Sequence, residues 1–268
     1  MKDKKYILVT GAYGGMGRAA VRLLAQSGYG VFALDRRTDA PPCADVIPIN
    51  ADVTDTESLH RAVMRVRETT DSLFAVIHFA GIYMLDSLVE MSHADFDRIM
   101  QVNLYGVFNV NKAFLPFLCS GSRIIITTSE LAPLDPLPFT GIYAVTKGAL
   151  DKYAYSLCME LQLIGIRVSV IRAGAVKTDM LGASTAALDG FCERTALYKY
   201  NSERFHRIVD SVEAKCIPPE KLAKKALSIL KKKRPAFSYG INRNPLLIML
   251  DMLPRRTQLW VIRKLLKN

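Results

Sequence analysis

The chain of 268 residues contains no unbroken apolar run of about eighteen, the length a helix needs to cross a bilayer. Met1 to Lys5 lead into Tyr6-Ile7-Leu8-Val9 with no signal-peptide core between them, so the expectation is a soluble, cytoplasmic protein. The five cysteines, Cys43, Cys119, Cys158, Cys192 and Cys216, are scattered and share no C-x-x-C spacing. That pattern suggests neither a zinc site nor a disulfide framework; reduced structural thiols and no metal are expected. A general excess of positive charge is also missing from most of the chain. Residues 201–268 hold sixteen Lys/Arg against five Asp/Glu, which accounts for the whole net charge of +11 and leaves residues 1–200 formally neutral. No duplex-reading module accompanies the basic segment, so no specific nucleic-acid partner is expected.

What the chain does have is a glycine-rich junction near its start. Tyr6-Ile7-Leu8-Val9 reads as a strand buried on both faces of a parallel sheet, and Arg18-Ala19-Ala20-Val21-Arg22-Leu23-Leu24 continues at helical spacing. Between them lies Thr10-Gly11-Ala12-Tyr13-Gly14-Gly15-Met16-Gly17. Glycine tolerates positive φ and lets backbone approach a ligand closely, while the N–H groups and dipole of a helix start attract anionic oxygens. The junction therefore suits a pyrophosphate. A second strand, Tyr29 to Leu34, ends at Asp35, where a carboxylate can accept hydrogen bonds from ribose hydroxyls and repel a 2′-phosphate. This favours NAD. Arg36 and Arg37, which could pair with that phosphate, keep NADP open.

Further strands are read at Val46–Asn50, Leu73–Gly81, Arg123–Ser129 and Ile166–Ile171, alternating with helical patterns at Glu57–Arg67, Phe96–Phe108 and Gly148–Leu163. The fold class expected is α/β, one Rossmann-type domain over 1–268 with a doubly wound parallel sheet. Asn103 falls among apolar neighbours and, if buried, demands hydrogen-bond partners. His78, at a strand end, reads as a structural hydrogen-bonding group. Ser129 emerges at the C-terminal end of its strand, where open α/β sheets bind ligands. Tyr143 and Lys147, four apart on a helix, share a face, so an ammonium could draw a phenol pKa of ~10 toward working pH.

Taken together, T-G-x-x-x-G-x-G, the acid after the second strand, Asn103, Ser129 and Tyr143-x-x-x-Lys147 occur in the order seen in the short-chain dehydrogenase/reductase family, which residues 5–180 resemble. The resemblance implies an NAD(P)-dependent oxidoreductase that interconverts a secondary alcohol and a ketone. It makes Tyr143 the acid/base and Ser129 the hydrogen-bonding partner of the substrate oxygen. Lys147 would lower the Tyr143 pKa and hold the nicotinamide ribose, and Asn103 would distort its helix and hold a water in the proton path. It further implies cofactor contacts from Gly11, Tyr13, Gly15, Met16, Gly17, Asp35 and Arg36, from Asp52 and Val53 at the adenine, from Ala80 and Gly81 after the fourth strand, and from Gly174, Val176 and Thr178 beyond the sixth. Two departures stand out: His78-Phe79 occupies the family's N-N position, and Ala173 replaces a proline.

Residues 179–217 carry Met180, Leu181, Leu188, Phe191, Leu197, Tyr198, Tyr200 and Phe205. This segment reads as an apolar lid for a substrate such as a hydroxysteroid, bile acid or retinoid, as in hydroxysteroid- and retinol-dehydrogenase-like relatives; helix packing or a subunit interface would use the same residues. A reductase of another small carbonyl compound is the alternative activity. The extension 235–268 sets Pro245–Leu253 between Lys231-Lys232-Lys233-Arg234 and the pairs Arg255-Arg256 and Arg263-Lys264. It reads as subunit packing in a homodimer or homotetramer, or as pocket closure. Peripheral contact with an anionic membrane is the other possibility, as in a dinucleotide-binding membrane-associated protein.

Overall fold

The computed structural model describes residues 4–37, 44–213 and 216–267; the side chains of 179–185 and 210–213 lie outside that description. Seven strands, β1 (Tyr6–Thr10), β2 (Gly30–Asp35), β3 (Val46–Asn50), β4 (Ala75–His78), β5 (Arg123–Ser129), β6 (Arg167–Ala173) and β7 (Ser238–Ile241), form one parallel sheet in the order β3-β2-β1-β4-β5-β6-β7. Parallel pairing requires a crossover between neighbours, usually a helix. The helices are α1 (Gly15–Gln26), α2 (Thr56–Arg67), α3 (His93–Met100), α4 (Gly106–Phe114), α5 (Gly141–Leu161), α6 (Asp179–Arg194), α7 (Lys199–Glu213), α8 (Pro219–Lys231), α9 (Pro245–Asp251) and α10 (Arg255–Leu266). Strand order reverses between β1 and β4, which opens a crevice at the C-terminal ends of the strands.

Alternate residues of the strands serve opposite faces. Ile7, Val9 and Ile77 pack with Ala20 and Leu24 of α1 and Ala226 and Ile229 of α8. Leu8, Phe32 and Val76 meet Leu59 and Ala62 of α2 and Val110 and Phe114 of α4. Ile124, Ile126 and Val170 pack on Leu150 and Ala154 of α5. Each fully buried Leu or Ile contributes roughly 1.5–3 kcal/mol, so the near-continuous apolar strands are what holds this sheet between its helices. A fourth cluster lies apart from the sheet: Leu85, Phe139, Leu188, Phe191, Phe205 and Leu266 join α6, α7 and α10.

Several expectations about elements need correction. β4 stops at His78, short of Gly81, because the chain must splay past the glycine turn: a Cβ on Gly11 would lie 2.6 Å from the Ala80 nitrogen. α5 begins at Gly141 rather than Gly148. Gly148 does not start the helix; it lets the Ala132 carbonyl come within 3.4 Å of where a Cβ would be. β7 has no counterpart in the sequence reading, being a short, half-exposed edge strand with little apolar signal. The basic runs are also separated. Lys231–Arg234 closes α8 at the N-terminal ends of the strands, where Arg123 Nη2, at the start of β5, donates to the Lys232 carbonyl at 2.8 Å, whereas α10 lines a cleft at the C-terminal ends, by Ser129.

Cys119, Cys158, Cys192 and Cys216 are free thiols, and Cys43 lies outside the described residues. Among the described residues no helix is long and apolar enough to cross a membrane, and no group of three His, Cys, Asp or Glu is placed to hold a metal.

His78 faces α4, not the crevice: its Nε2 meets Asn111 Oδ1 at 2.9 Å, and Asn111 Nδ2 donates to the Tyr153 hydroxyl at 3.2 Å. Burial holds its pKa down to about 4, with the Asn111 hydrogen bond opposing. A histidine depressed in the folded state binds fewer protons there than when unfolded. Stability is then full above about pH 6.5 and falls as pH drops toward 4, by ~3 kcal/mol in all. The urea midpoint is expected to fall between pH 7 and 5, and His78→Gln should shrink that difference. An equal acid shift in both proteins would assign the acid sensitivity elsewhere.

Candidate active site

The glycine turn needs glycine at the positions where backbone comes closest, Gly11 and Gly17. Gly11 has φ of 64°, and a Cβ on Gly17 would lie 2.0 Å from the Gly11 carbonyl oxygen. α1 starts directly after it with no side-chain cap at Gly14, so its first-turn backbone lines the crevice. A cleft of about 640 Å³ runs from Asp35, Arg36, Asp52 and Val53, over Gly11, Gly15, Met16 and Gly17, to Ala80, Gly81 and Thr178. Asp35 accepts the Tyr13 N–H at 2.9 Å and the Arg37 N–H at 3.2 Å, which fixes the end of β2 to the turn. Asp52 accepts from the Thr54 N–H and hydroxyl at 2.8 and 2.7 Å, and Arg36 comes within 3.9 Å of it.

Met16, Gly81 and Thr178 line this cleft and also a second one of about 650 Å³, so the two are continuous. At the junction stand Ser129, Tyr143 and Lys147. Ser129 ends β5, while Tyr143 and Lys147 lie one turn apart near the start of α5. Tyr143 and Ser129 share a side-chain hydrogen bond, and Lys147 Nζ is 5.7 Å from the Tyr143 ring centre and donates to the Thr127 carbonyl at 3.4 Å. Asn103 sits in a π-helical turn, Gln101–Tyr105, between α3 and α4. That local distortion recurs at functional sites. Its amide accepts the Ile82 N–H at 2.8 Å and donates to the Ile82 carbonyl at 3.0 Å and the Thr146 hydroxyl at 3.2 Å, pinning the chain beyond β4.

The family model described as short chain dehydrogenase matches residues 5–189. The chain belongs to the short-chain dehydrogenase family. It is an NAD(P)-dependent oxidoreductase. It is 32% identical over 209 residues to the NADPH-dependent 1-acyldihydroxyacetone phosphate reductase of Schizosaccharomyces pombe, covering 75% of this chain and 70% of that one. It is 32% identical over 194 residues to estradiol 17-beta-dehydrogenase 2 of Mus musculus, covering 68% of this chain but 50% of that longer one. A short chain dehydrogenase from Burkholderia cenocepacia in complex with NADP superposes with a TM-score of 0.75 at 22% identity, over 99% of this chain and 98% of that chain.

The dehydrogenase fits a dinucleotide on its own geometry. The tight turn at Gly11 and Gly17, whose Cβ atoms would strike backbone, lets the chain line a cleft long enough for it, and every cofactor contact named from the sequence except Tyr13, Asn103, Gly174 and Val176 lies along the 640 Å³ cleft or at its junction with the second; Asn103 is fully buried and holds Ile82. Gly174 and Val176 line the second cleft, and Tyr13 is buried behind the turn, tied to Asp35.

One expectation fails. Lys147 was expected to draw the Tyr143 pKa down, yet burial pushes it above its ordinary value, assisted by Tyr83 and opposed by Ser129. Burial also holds Lys147 down to about 8. In this dry junction the cost of charging a group outweighs what a neighbour 5.7 Å from the ring returns. At neutral pH the pair is therefore a phenol beside an ammonium.

Three residues escaped the sequence reading. Tyr83 packs its ring 4.9 Å from that of Tyr143, Glu130 follows Ser129 into the second cleft and accepts the Asn244 N–H, and Thr146 holds Asn103. None is a defining residue of a motif: Thr146 is one of the open positions of Tyr143-x-x-x-Lys147, Glu130 follows Ser129, and Tyr83 stands two residues after Gly81.

The second cleft is closed by residues remote in sequence. Phe205, Ile208 and Val209 of α7, Leu246, Leu247 and Leu250 of α9, and Ile262 and Leu266 of α10 form its walls. Asp135 ties α9 and α10 down, its N–H donating to Asp251 Oδ1 at 2.7 Å while Gln258 and Arg255 reach its carboxylate. Phe139, held at φ of 64°, carries Phe191, Tyr198 and Phe205 around its ring at 4.8–5.5 Å. Leu188, Phe191, Tyr198 and Phe205 of the expected lid are thus in or beside this wall, Leu197 and Tyr200 are exposed, and the side chains of Met180 and Leu181 lie outside the described residues.

Proposed function

We propose that this dehydrogenase interconverts a secondary alcohol and a ketone on an apolar, lipid-like substrate. The observation that carries the reading is the aliphatic cleft, walled by α7, α9 and α10, that ends at Ser129, Tyr143 and Lys147. Bound nicotinamide supplies the hydride acceptor or donor. Ser129 hydrogen-bonds the substrate oxygen. Tyr143 exchanges the proton at that oxygen, and its protonated state at neutral pH suits donation, the step that carbonyl reduction requires. Lys147 holds the nicotinamide ribose and offsets the charge left when Tyr143 gives up its proton. Asn103 keeps the backbone at Ile82 in place and opens the proton path to solvent. Residues 179–217, with the extension, serve as the lid of a single domain. Asp35 at the ribose end supports NAD over NADP. The apolar side chains that α4 and α5 leave exposed, such as Phe108, Tyr155 and Met159, support a homodimer or homotetramer, which light scattering would report as a multiple of the chain mass.

A ketone series read by oxidation of reduced cofactor tests the substrate class. Each methylene buried in the cleft is worth ~0.8 kcal/mol, about fourfold in kcat/KM, so efficiency should climb steeply from short aliphatic to long-chain or fused-ring ketones. NADH should outperform NADPH. Preference for small polar ketones would overturn the apolar-pocket reading, and equal use of NADPH the role of Asp35.

The ammonium of Lys147 is present below about pH 8 and lost above it. The reductive rate is therefore expected to be level below that pH and to fall beyond it, with Lys147→Arg moving the fall to higher pH. A rate level through the alkaline range in the wild type would remove Lys147 from the step.

A further inference from the structure

The mouth of the apolar cleft is made of side chains that also face outward. Leu246, Met249 and Leu253 recur at helical spacing along and just past α9, and with Leu265 of α10 they line the cleft. All four are exposed, Leu246 at 63% and Met249 at 64%. Exposed aliphatic rims of this kind mark binding faces, since each Å² left in water costs roughly 25 cal/mol. Next to the rim, α10 presents Trp260, 59% exposed, on a stripe with Arg256, Arg263 and Lys267. Residues 252–267 contain five Lys/Arg and no Asp/Glu; Arg255 pairs with Asp135, and the excess is carried by Arg256, Arg263, Lys264 and Lys267.

An aliphatic rim, an outward tryptophan and unbalanced cations complement a surface that is anionic outside and apolar beneath, which is a phospholipid leaflet. A second copy meeting this face across a two-fold axis would set the same cations against each other. We propose that α9 and α10 dock on an anionic membrane surface, so that the cleft opens into the leaflet and a lipid-like substrate reaches Tyr143 without crossing water. The purpose of the docking rests on the apolar-substrate reading; the docking is measured with no substrate present, so either can fail alone.

Trp260 is the only tryptophan in the chain, so its emission reports on α10 directly. The full-length protein is mixed with vesicles of phosphatidylcholine, alone or with phosphatidylglycerol, at low and high salt. The expected result is co-sedimentation and a blue shift with the anionic vesicles, weakened by salt, with quenching by brominated acyl chains. At about 1 kcal/mol per cation, Arg256→Glu with Arg263→Glu should lower partitioning by about tenfold or more. Neither residue lines the cleft, so turnover of a water-soluble ketone should be unchanged, which also shows that the variant folds. Emission that ignores anionic vesicles, or partitioning equal on neutral and anionic ones, overturns the proposal. So does a blue shift that follows protein concentration without lipid, which would mean that a second copy covers the face.

Discussion

Tyr143→Phe is expected to lower turnover by about 10²- to 10⁴-fold, the range that positioned acid/base groups contribute, while leaving dinucleotide affinity essentially unchanged. The ring is retained, and with it the contact with Tyr83 at 4.9 Å and the approach of Lys147 to its face. What disappears is one oxygen and its hydrogen bond with Ser129, a loss of about 1 kcal/mol in stability. Steady-state rates with a good ketone substrate, set beside calorimetric titration with NADH, separate the two effects. Turnover within a few-fold of wild type would mean that the proton comes from elsewhere in the cleft.

Gly17→Ala should lower cofactor affinity about 10- to 100-fold. Its Cβ would stand 2.0 Å from the Gly11 oxygen and 2.9 Å from the Ala12 Cα, both backbone, so no side chain can swing aside and the turn itself must move. Forcing an extra methyl into a filled space costs roughly 1–3 kcal/mol, and each 1.4 kcal/mol carried into binding is tenfold. Gly14→Ala supplies the control. A Cβ there meets only the Gly11 oxygen, at 3.5 Å, an ordinary contact. Calorimetric affinities for NAD and NADH should differ sharply between the two variants while circular dichroism shows an intact sheet in both. Equal affinities would refute the cradle as the determinant of binding.

The two substitutions probe features that differ in how far they could be seen from residues alone. The glycine turn is local: a strand, four glycines and the start of a helix fall between Tyr6 and Gly17, where spacing and conformational freedom leave few alternatives. β3 and β5 were likewise legible to the residue, β5 because a continuous branched apolar run bounded by turns has few other uses, and β3 because Val46, Ile47 and Ile49 keep that character around Pro48. β7 was not, since four half-exposed residues on a sheet edge bury too little to leave a pattern. The family's N-N position shows the intermediate case. His78 could be read as a structural hydrogen-bonding group, but its partner Asn111 lies 33 residues away and is identified only by how α4 packs on the sheet.

By itself the sequence determined the alternation of strands and helices and the glycine turn with Asp35 beyond it, since each follows from spacing within one or two elements, while Asn103, Ser129, Tyr143 and Lys147 stood out only through their joint resemblance to the family's order. Tertiary structure alone decided that α9 and α10, more than a hundred residues beyond Ser129, wall the cleft beside it. It also parted the two basic runs, setting Lys231–Arg234 at the N-terminal ends of the strands and α10 by the cleft at their C-terminal ends. It reversed the expected direction of the Tyr143 pKa as well. The physical reason is common to all three. Periodicity tells a helix which of its faces is apolar, but which distant surface that face meets, and how dry the junction becomes, depends on contacts that no local pattern encodes.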